Sequence, residues 1–317
     1  MTYSTGGLIQ ATDYNGFVSD TVGANINATM NTTYGQTALS NVAAGGTVTA
    51  TQWSTLNANI STMASHQGTT ITSRTNPVAG NVIAVLANVN ADITTCYTNR
   101  FNAATQGSQY TAWTGTASKT TGTGSGTAPW TITFTNTVTF ANTTAASNFF
   151  NSGGLIKIQS SKTSTGTAQD TEWNAFVGNV CGTIYLSSTA ASKTLSGNTY
   201  TGTTKVGGSG TPTTLATSTG FAQLTSSPVT IYKQFDTAAP YSSNFVQINA
   251  SVSGAVLTLT SVWYDNGDIF GAAISGGTAT TGITFGTAPA TVVTYFPPET
   301  TYLANVWGTP TVASSVA

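Results

Sequence analysis

Charge is what this chain has least of. Only 8 Lys and Arg and 9 Asp and Glu occur in 317 residues, 5% of the total, against roughly 25% in an ordinary globular protein. A net charge of −1 and an isoelectric point near 5.6 leave no basic footprint for nucleic acid or an anionic lipid surface. No apolar run approaches the 18 or so residues of a membrane span, so membrane insertion is not expected. Met1-Thr2-Tyr3-Ser4-Thr5-Gly6-Gly7 lacks the basic n-region and the apolar stretch of a secretory signal. Cys96 and Cys181 are the two cysteines, too far apart in sequence for a disulfide framework. They read as reduced, buried thiols in a product of a reducing cytosol.

The same poverty bears on catalysis, which needs titratable groups within reach of one another. His66 is the only histidine, so a His-based metal site or a Ser–His dyad would rest on one residue at the end of an expected helix. Asp265-Asn266-Gly267-Asp268 has calcium-like spacing but lacks the later Glu that completes an EF-hand loop, and reads as a turn between strands. Asp170 and Glu172 flank a helix start rather than face each other. Gly122, Gly124 and Gly126 alternate with Ser and Thr, and no phosphate-cradling Lys follows them, so residues 122–126 read as a flexible loop. The sequence therefore assigns no catalytic, cofactor or metal residue and no cofactor, and the chain is read as a non-enzyme. A glycan groove lined by Trp, Tyr and Asn stays compatible with it, because sugars need stacking faces and neutral hydrogen bonds more than charge.

What is abundant is threonine, 67 of 317 residues, with 33 Gly and a 39% apolar fraction that includes 6 Trp, 12 Tyr and 13 Phe. Disorder requires low hydrophobicity with high net charge; this chain has the reverse and should fold. Its first hundred residues carry helical periodicity. Val82, Val85, Leu86, Val89, Ile93, Cys96 and Tyr97 repeat at 3.6-residue spacing after Pro77; Trp53, Leu56, Ile60 and Met63 form a second stripe; Tyr14, Phe17 and Val18 begin a third. Helices are expected near 12–22, 50–65 and 79–104. The pattern Thr, acid or amide, aromatic, small polar, any, large apolar recurs as Thr12–Phe17, Thr51–Leu56 and Thr171–Phe176. It reads as a capped helix start, with the Thr hydroxyl satisfying first-turn N–H groups and the aromatic and apolar residues anchoring one face.

After Gly107 the period becomes two. Trp130-Thr131-Ile132-Thr133-Phe134, Val138-Thr139-Phe140, Leu155-Ile156-Lys157-Ile158-Gln159, Thr183-Ile184-Tyr185-Leu186, Val229-Thr230-Ile231-Tyr232, Phe245-Val246-Gln247-Ile248, Ala255-Val256-Leu257-Thr258-Leu259 and Thr291-Val292-Val293-Thr294-Tyr295-Phe296 read as strands. Ser253-Gly254 reads as a hairpin turn, residues 309–317 as a loose tail, and short helices are expected near 143–151 and 169–179. The fold class is α+β: a small helical N-terminal module, 1–106, followed by an antiparallel β-sandwich domain, 107–317.

Certain segments resemble a family. Ile9-Gln10-Ala11-Thr12-Asp13-Tyr14-Asn15, Tyr34-Gly35-Gln36, Val48-Thr49-Ala50-Thr51-Gln52-Trp53-Ser54-Thr55-Leu56 and His66-Gln67-Gly68 are similar to the N-terminal region of structural, tail-fibre-like virion proteins of tailed phages of cyanobacteria and other marine bacteria. Further on, Phe149-Phe150-Asn151-Ser152-Gly153-Gly154-Leu155-Ile156-Lys157-Ile158, Thr171-Glu172-Trp173-Asn174 and Tyr241-Ser242-Ser243-Asn244-Phe245-Val246-Gln247-Ile248 extend the likeness in order through most of the chain. Ser54 departs from the pattern, standing where Asn is expected. The resemblance implies a non-enzymatic virion part, a neck, collar or tail-fibre component assembled in the host cytoplasm. Its implied partners are other virion proteins and further copies of itself as a homo-oligomer. The alternatives are a host-receptor adhesin that reads a surface glycan and an outer-capsid decoration or cement protein. On this reading the helices dock on the particle through Tyr14, Phe17, Trp53, Leu56, Ile60, Val82, Val85, Val89 and Ile93, while the sandwich projects.

Overall fold

The computed structural model describes residues 10–19, 23–78, 86–103, 115–118, 121–125, 129–163, 168–195, 197–239, 241–266, 281–284 and 289–317. The helices come first: α1 (Ala11–Ser19), α2 (Ala50–Gln67) and α3 (Leu86–Thr98), with a π-helical turn at Ala28–Thr33 between the first two. Residues 79–85, including Val82 and Val85, lie outside the described residues, as does the boundary placed at 106–107.

The helix starts differ from expectation in which residue caps them. A cap residue must be extended while its side chain accepts from the first turn. At α2 that residue is Thr49 (φ −84°, ψ 157°), whose Oγ1 accepts from Gln52 N at 3.2 Å while Gln52 Oε1 accepts from Thr49 N at 2.9 Å, a reciprocal capping box. Thr51 is already helical, and so are Thr12 in α1 and Thr171 in α5 (Ala168–Ala175). The threonine-cap reading is therefore corrected at all three copies. The anchoring part of the motif is present: Tyr14, Phe17, Trp53, Leu56, Trp173 and Phe176 are all buried. Trp53 meets the rings of Tyr14 and Phe17 at 6.3 and 6.0 Å. Helix α2 ends where Gly68 takes φ 63°, letting Thr69 N reach Ala64 O at 2.8 Å.

The strands are β1 (Gly115–Ser118), β2 (Thr121–Ser125), β3 (Trp130–Thr139), β4 (Leu155–Ser161), β5 (Thr183–Leu186), β6 (Lys193–Leu195), β7 (Asn198–Tyr200), β8 (Thr203–Val206), β9 (Thr214–Leu215), β10 (Val229–Phe235), β11 (Phe245–Ser253), β12 (Val256–Asp265), β13 (Thr281–Thr284), β14 (Ala290–Phe296) and β15 (Thr311–Val316). Helix α4 (Thr143–Asn151) lies between β3 and β4. Helix α5 runs straight into a π-helical turn at Phe176–Val180. Two antiparallel sheets form the sandwich-like body, ordered β1-β14-β4-β5-β8 and β15-β3-β12-β11-β10-β9. The hairpin at Ser253-Gly254 closes as expected, with Ser253 opposite Val256 and Gly254 at φ 58°.

Three expectations are corrected. Strand β3 runs unbroken through Asn136, whose buried Oδ1 accepts from Ser314 Oγ at 2.5 Å. The tail is not loose: β15 pairs along β3 from Thr311 opposite Thr139 to Val316 opposite Phe134, and Ala317 exchanges both backbone bonds with Thr133 at 2.9 Å. Backbone groups left at a sheet edge are a template for any extended segment, and the alternating Thr-Val-Ala-Ser-Ser-Val supplies one. Thr121–Ser125 is strand, not loop, because β13, far away in sequence, supplies its partner.

One contiguous core joins helices and sheets: Tyr14, Trp53, Leu56, Ile60, Val89 and Ile93 belong to the same buried cluster as Ile132, Phe134, Ile156, Val293 and Trp263. Trp173 stacks on Trp263 (5.5 Å, 7°) and tilts against Trp130 (5.1 Å), fixing α5 to the six-stranded sheet. At the helix–sandwich junction Gly35 lies against α4. A Cβ there would stand 2.1 Å from Asn148 Nδ2, and its φ of 71° suits glycine.

Candidate functional site

Of the stripe residues expected to dock on a particle, Tyr14, Phe17, Trp53, Leu56, Ile60, Val89 and Ile93 are each at most 3% exposed and packed in the chain's own core. The apolar faces of the helices are used within the molecule, so a partner would meet their polar backs. Removing the helices would uncover the core rather than leave an intact sandwich.

His66 lies in that junction. Helix α2 ends beside α4, so the imidazole Nε2 sits 3.0 Å from Ser152 O and donates to it, while the ring meets Tyr34 edge-on at 5.2 Å. Nδ1 has no hydrogen-bond partner among the described residues. Burial pushes the imidazole down to about 4, against the opposing pull of the Ser152 carbonyl and Glu299. With no exposed surface, this ring is placed to bridge two elements. Tyr34 extends the bridge, accepting from Gln67 Nε2 at 2.7 Å and donating to Arg100 O at 2.6 Å. Gln36 adds a clamp to the C-terminal segment through Ala304, donating to its carbonyl at 3.1 Å and accepting from its N–H at 2.9 Å.

Cys96 and Cys181 are free and buried, their thiols pushed up by burial to about 11 and about 12; neither is poised as a thiolate. Lys193 is buried with Nζ donating to Phe150 O (3.2 Å) and Ser188 Oγ (3.3 Å), and desolvation lowers it to about 7.

Sequence reasoning missed a carboxyl pair. Glu172 of α5 and Asp236, just after β10, interact with each other, and both are raised above the usual carboxylate range, first by burial. Asp265 closes the group, accepting from Trp173 Nε1 at 2.8 Å and Asn244 Nδ2 at 3.2 Å. Asp265 is thus the sequence's expected turn residue held inside; Gly267 and Asp268 lie outside the described residues. No group of three or more His, Cys, Asp or Glu among the described residues could hold a metal ion. No described helix is long and apolar enough to cross a membrane.

The ion pair among the described residues is Arg74–Asp92, and Arg74 also borders a shallow cleft. Residues 71–76 form a strap beside α2, tied to it by Asn57 Nδ2 donating to Asn76 Oδ1 at 3.2 Å. Asp92 of α3 holds the strap by accepting from Thr72 N at 3.1 Å and from the Arg74 guanidinium, which also donates to Asn88 O at 3.2 Å. The open depression between the strap and α2 has a volume of about 270 Å³ and is lined by Asn57, Ala58, Ser61, Ile71, Thr72, Ser73, Arg74 and Asn76. Asparagine is present, as the expected glycan groove required, but Trp and Tyr are not. No sequence signal marked this place, because its parts are single polar residues on three elements. Comparison with protein-family models, curated proteins and solved structures gave no match.

Proposed function

We propose that this chain is a structural part of a tailed-phage virion, a neck, collar or tail-fibre component that acts by packing against copies of itself and neighbouring proteins. The observation that carries the reading is where the few charges go. Asp13, Asp92, Lys162, Lys193, Asp236, Asp265 and Glu299, seven of the 17 charged side chains, are buried, and so is His66. That leaves a Thr-, Ser-, Asn- and Gly-rich exterior with little charge of either sign. Net charge far from zero keeps a free protein soluble and apart from its neighbours; an exterior without it suits a chain whose surface meets other chains. Contacts of that kind depend little on salt, because there is little charge for salt to screen. The segment-by-segment resemblance to phage structural proteins supplies the particle, and closed cyclic symmetry is the expected form of such parts.

Quantitative mass spectrometry of purified particles tests the reading. A copy number matching one ring or one set of fibres is expected. A number approaching that of the main capsid subunit would instead make the chain a head decoration, and its absence from particles would refute the proposal.

A further inference from the structure

We propose that the outer face of the six-stranded sheet is a contact between two copies of this chain, packed face to face about a two-fold axis. Self-association is part of the virion reading, on which this rests; the sheet supplies the surface for it.

Alternation builds the face. Along β12, Leu257, Leu259 and Trp263 are buried in the core, while Thr258, Thr260, Val262 and Tyr264 are half-buried on the other side. On β3 the outward set is threonine at every second position from Thr131 to Thr139. Register puts Phe235, Phe245 and Tyr264 in one row across β10, β11 and β12, with successive ring centroids 5.4 and 4.9 Å apart. The surface has an aromatic end and a threonine expanse, and among the described residues Lys233 is its one charged side chain.

Three observations select a second copy as the occupant. The first is size. The five strands β15, β3, β12, β11 and β10 are six to ten residues long; at ~3.4 Å per residue and ~4.8 Å between strands they make a face of roughly 650 Å². Two such faces bury about 1,300 Å² in total, within the ~1,200–2,000 Å² of stable specific interfaces. The second is charge. A two-fold contact sets the same patch on both partners, so like charges would meet across it, and a face with one cation avoids that. Lys233 is itself drawn over the rings of Phe235 and Phe245, at 4.8 and 3.9 Å. The third is that the sheet's edges are taken. β1 runs beside β15 at one side, and at the other Thr203 N of β8 donates to Ala216 O, next to β9, at 3.3 Å. Strand addition at an edge is thereby blocked, which leaves the face.

Interface centres are enriched in aromatic side chains, and the Phe235–Phe245–Tyr264 row supplies that anchor. A glycan fits less well. Phe245 is stacked on Tyr264 (22°) from the β12 side and covered by Lys233 from the β10 side, so its ring offers no free face to a sugar, and small ligands are held in clefts rather than on sheets.

Sedimentation equilibrium of the purified full chain is the test. The expected species is a dimer of the 32.3 kDa chain, or a larger assembly of dimers, with Kd of about 1 μM or tighter and little change between about 0.1 M and about 1 M salt. Thr135→Lys and Thr260→Lys each place a cation near the middle of the face, the two positions being opposite one another on β3 and β12. Either should weaken association at least a hundredfold through like charges meeting, and part of the loss should return in 1 M salt, where screening shortens to ~3 Å. A folding defect would not respond to salt in that way, and circular dichroism checks the fold directly. Gln159→Lys, exposed on β4 of the other sheet, should leave association unchanged. A monomer, an odd number of chains, a dimer indifferent to both face lysines or one broken equally by Gln159→Lys would overturn the proposal. So would a monomer that binds a soluble glycan saturably and loses it in Phe245→Ala. A monomeric chain that is still found in purified particles sinks this contact and leaves the virion reading standing; a dimer whose chain is absent from particles does the reverse.

Discussion

Acid should loosen the junction between helices and sandwich through one residue. His66 is fully buried, donates to Ser152 O and has an imidazole lowered from 6.5 to about 4. Between those values the unfolded chain takes up a proton that the folded chain refuses, so stability rises with pH across the window. It is fully present above pH 6.5, fades as the pH falls and is largely gone near pH 4. A shift of this size corresponds to about 3 kcal/mol at 1.36 kcal/mol per unit. The Glu172–Asp236 pair has the opposite sign, because its raised values favour the folded state as pH falls past them. The informative quantity is therefore the difference between the native chain and His66→Gln, which keeps a donor for Ser152 O but cannot titrate. Guanidinium unfolding followed by tryptophan fluorescence, repeated from about pH 7 to pH 4, should show the native chain losing about 3 kcal/mol that the variant keeps. Equal pH slopes for the two chains would refute the buried, neutral assignment of His66.

Three further perturbations have definite signs. Gly35→Ala combines a left-handed backbone at φ 71° with a Cβ 2.1 Å from Asn148 Nδ2, and should lower stability by roughly 2–3 kcal/mol in denaturant titration; a neutral effect would mean the turn does not press on α4. Deleting residues 310–317 removes β15 and bares the edge of β3, so the melting temperature should fall and light scattering should report association; an unchanged melting point would contradict the pairing. Lys193→Met removes a buried amine lowered to about 7. Below that value the charge is buried at full cost, so the variant should gain on the order of 3 kcal/mol near pH 6. The gain should shrink as pH rises toward the lysine's ordinary value, and a gain that grew with pH would contradict the assignment.

How legible the molecule was depends on how local its information is. Trp53, Leu56, Ile60 and Met63 mark a buried helix face by spacing alone, and Ile132, Phe134 and Val138 mark a half-buried strand in the same way; all are buried where the period places them. The hairpin at Gly254 was readable because the turn is two residues long. Caps were misread because threonine is everywhere: at 67 copies, a Thr before an aromatic does not distinguish Thr51 from Thr49, and Thr171 lies three residues past the first residue of α5. Strands β2 and β15 were hidden because their partners, β13 and β3, are distant in sequence, and pairing rather than composition makes them strands. Nothing local announced the Glu172–Asp236 pair or the strap held by Arg74 and Asp92, since each exists only after the elements have packed. The helical stripes are apolar as their spacing indicates, yet apolar spacing cannot say whether the covering surface is a partner or the chain itself; here it is the chain's own core, with Trp53 of α2 packed on Tyr14 and Phe17 of α1.

The most direct check on the account is a cryo-electron microscopy map of purified particles into which this fold is placed. The account predicts symmetric density at the neck or in a tail fibre that the two sheets and their helices fill, with the charge-poor faces buried between subunits. Particles with no such density, with the chain recovered only as a free monomer, would contradict it.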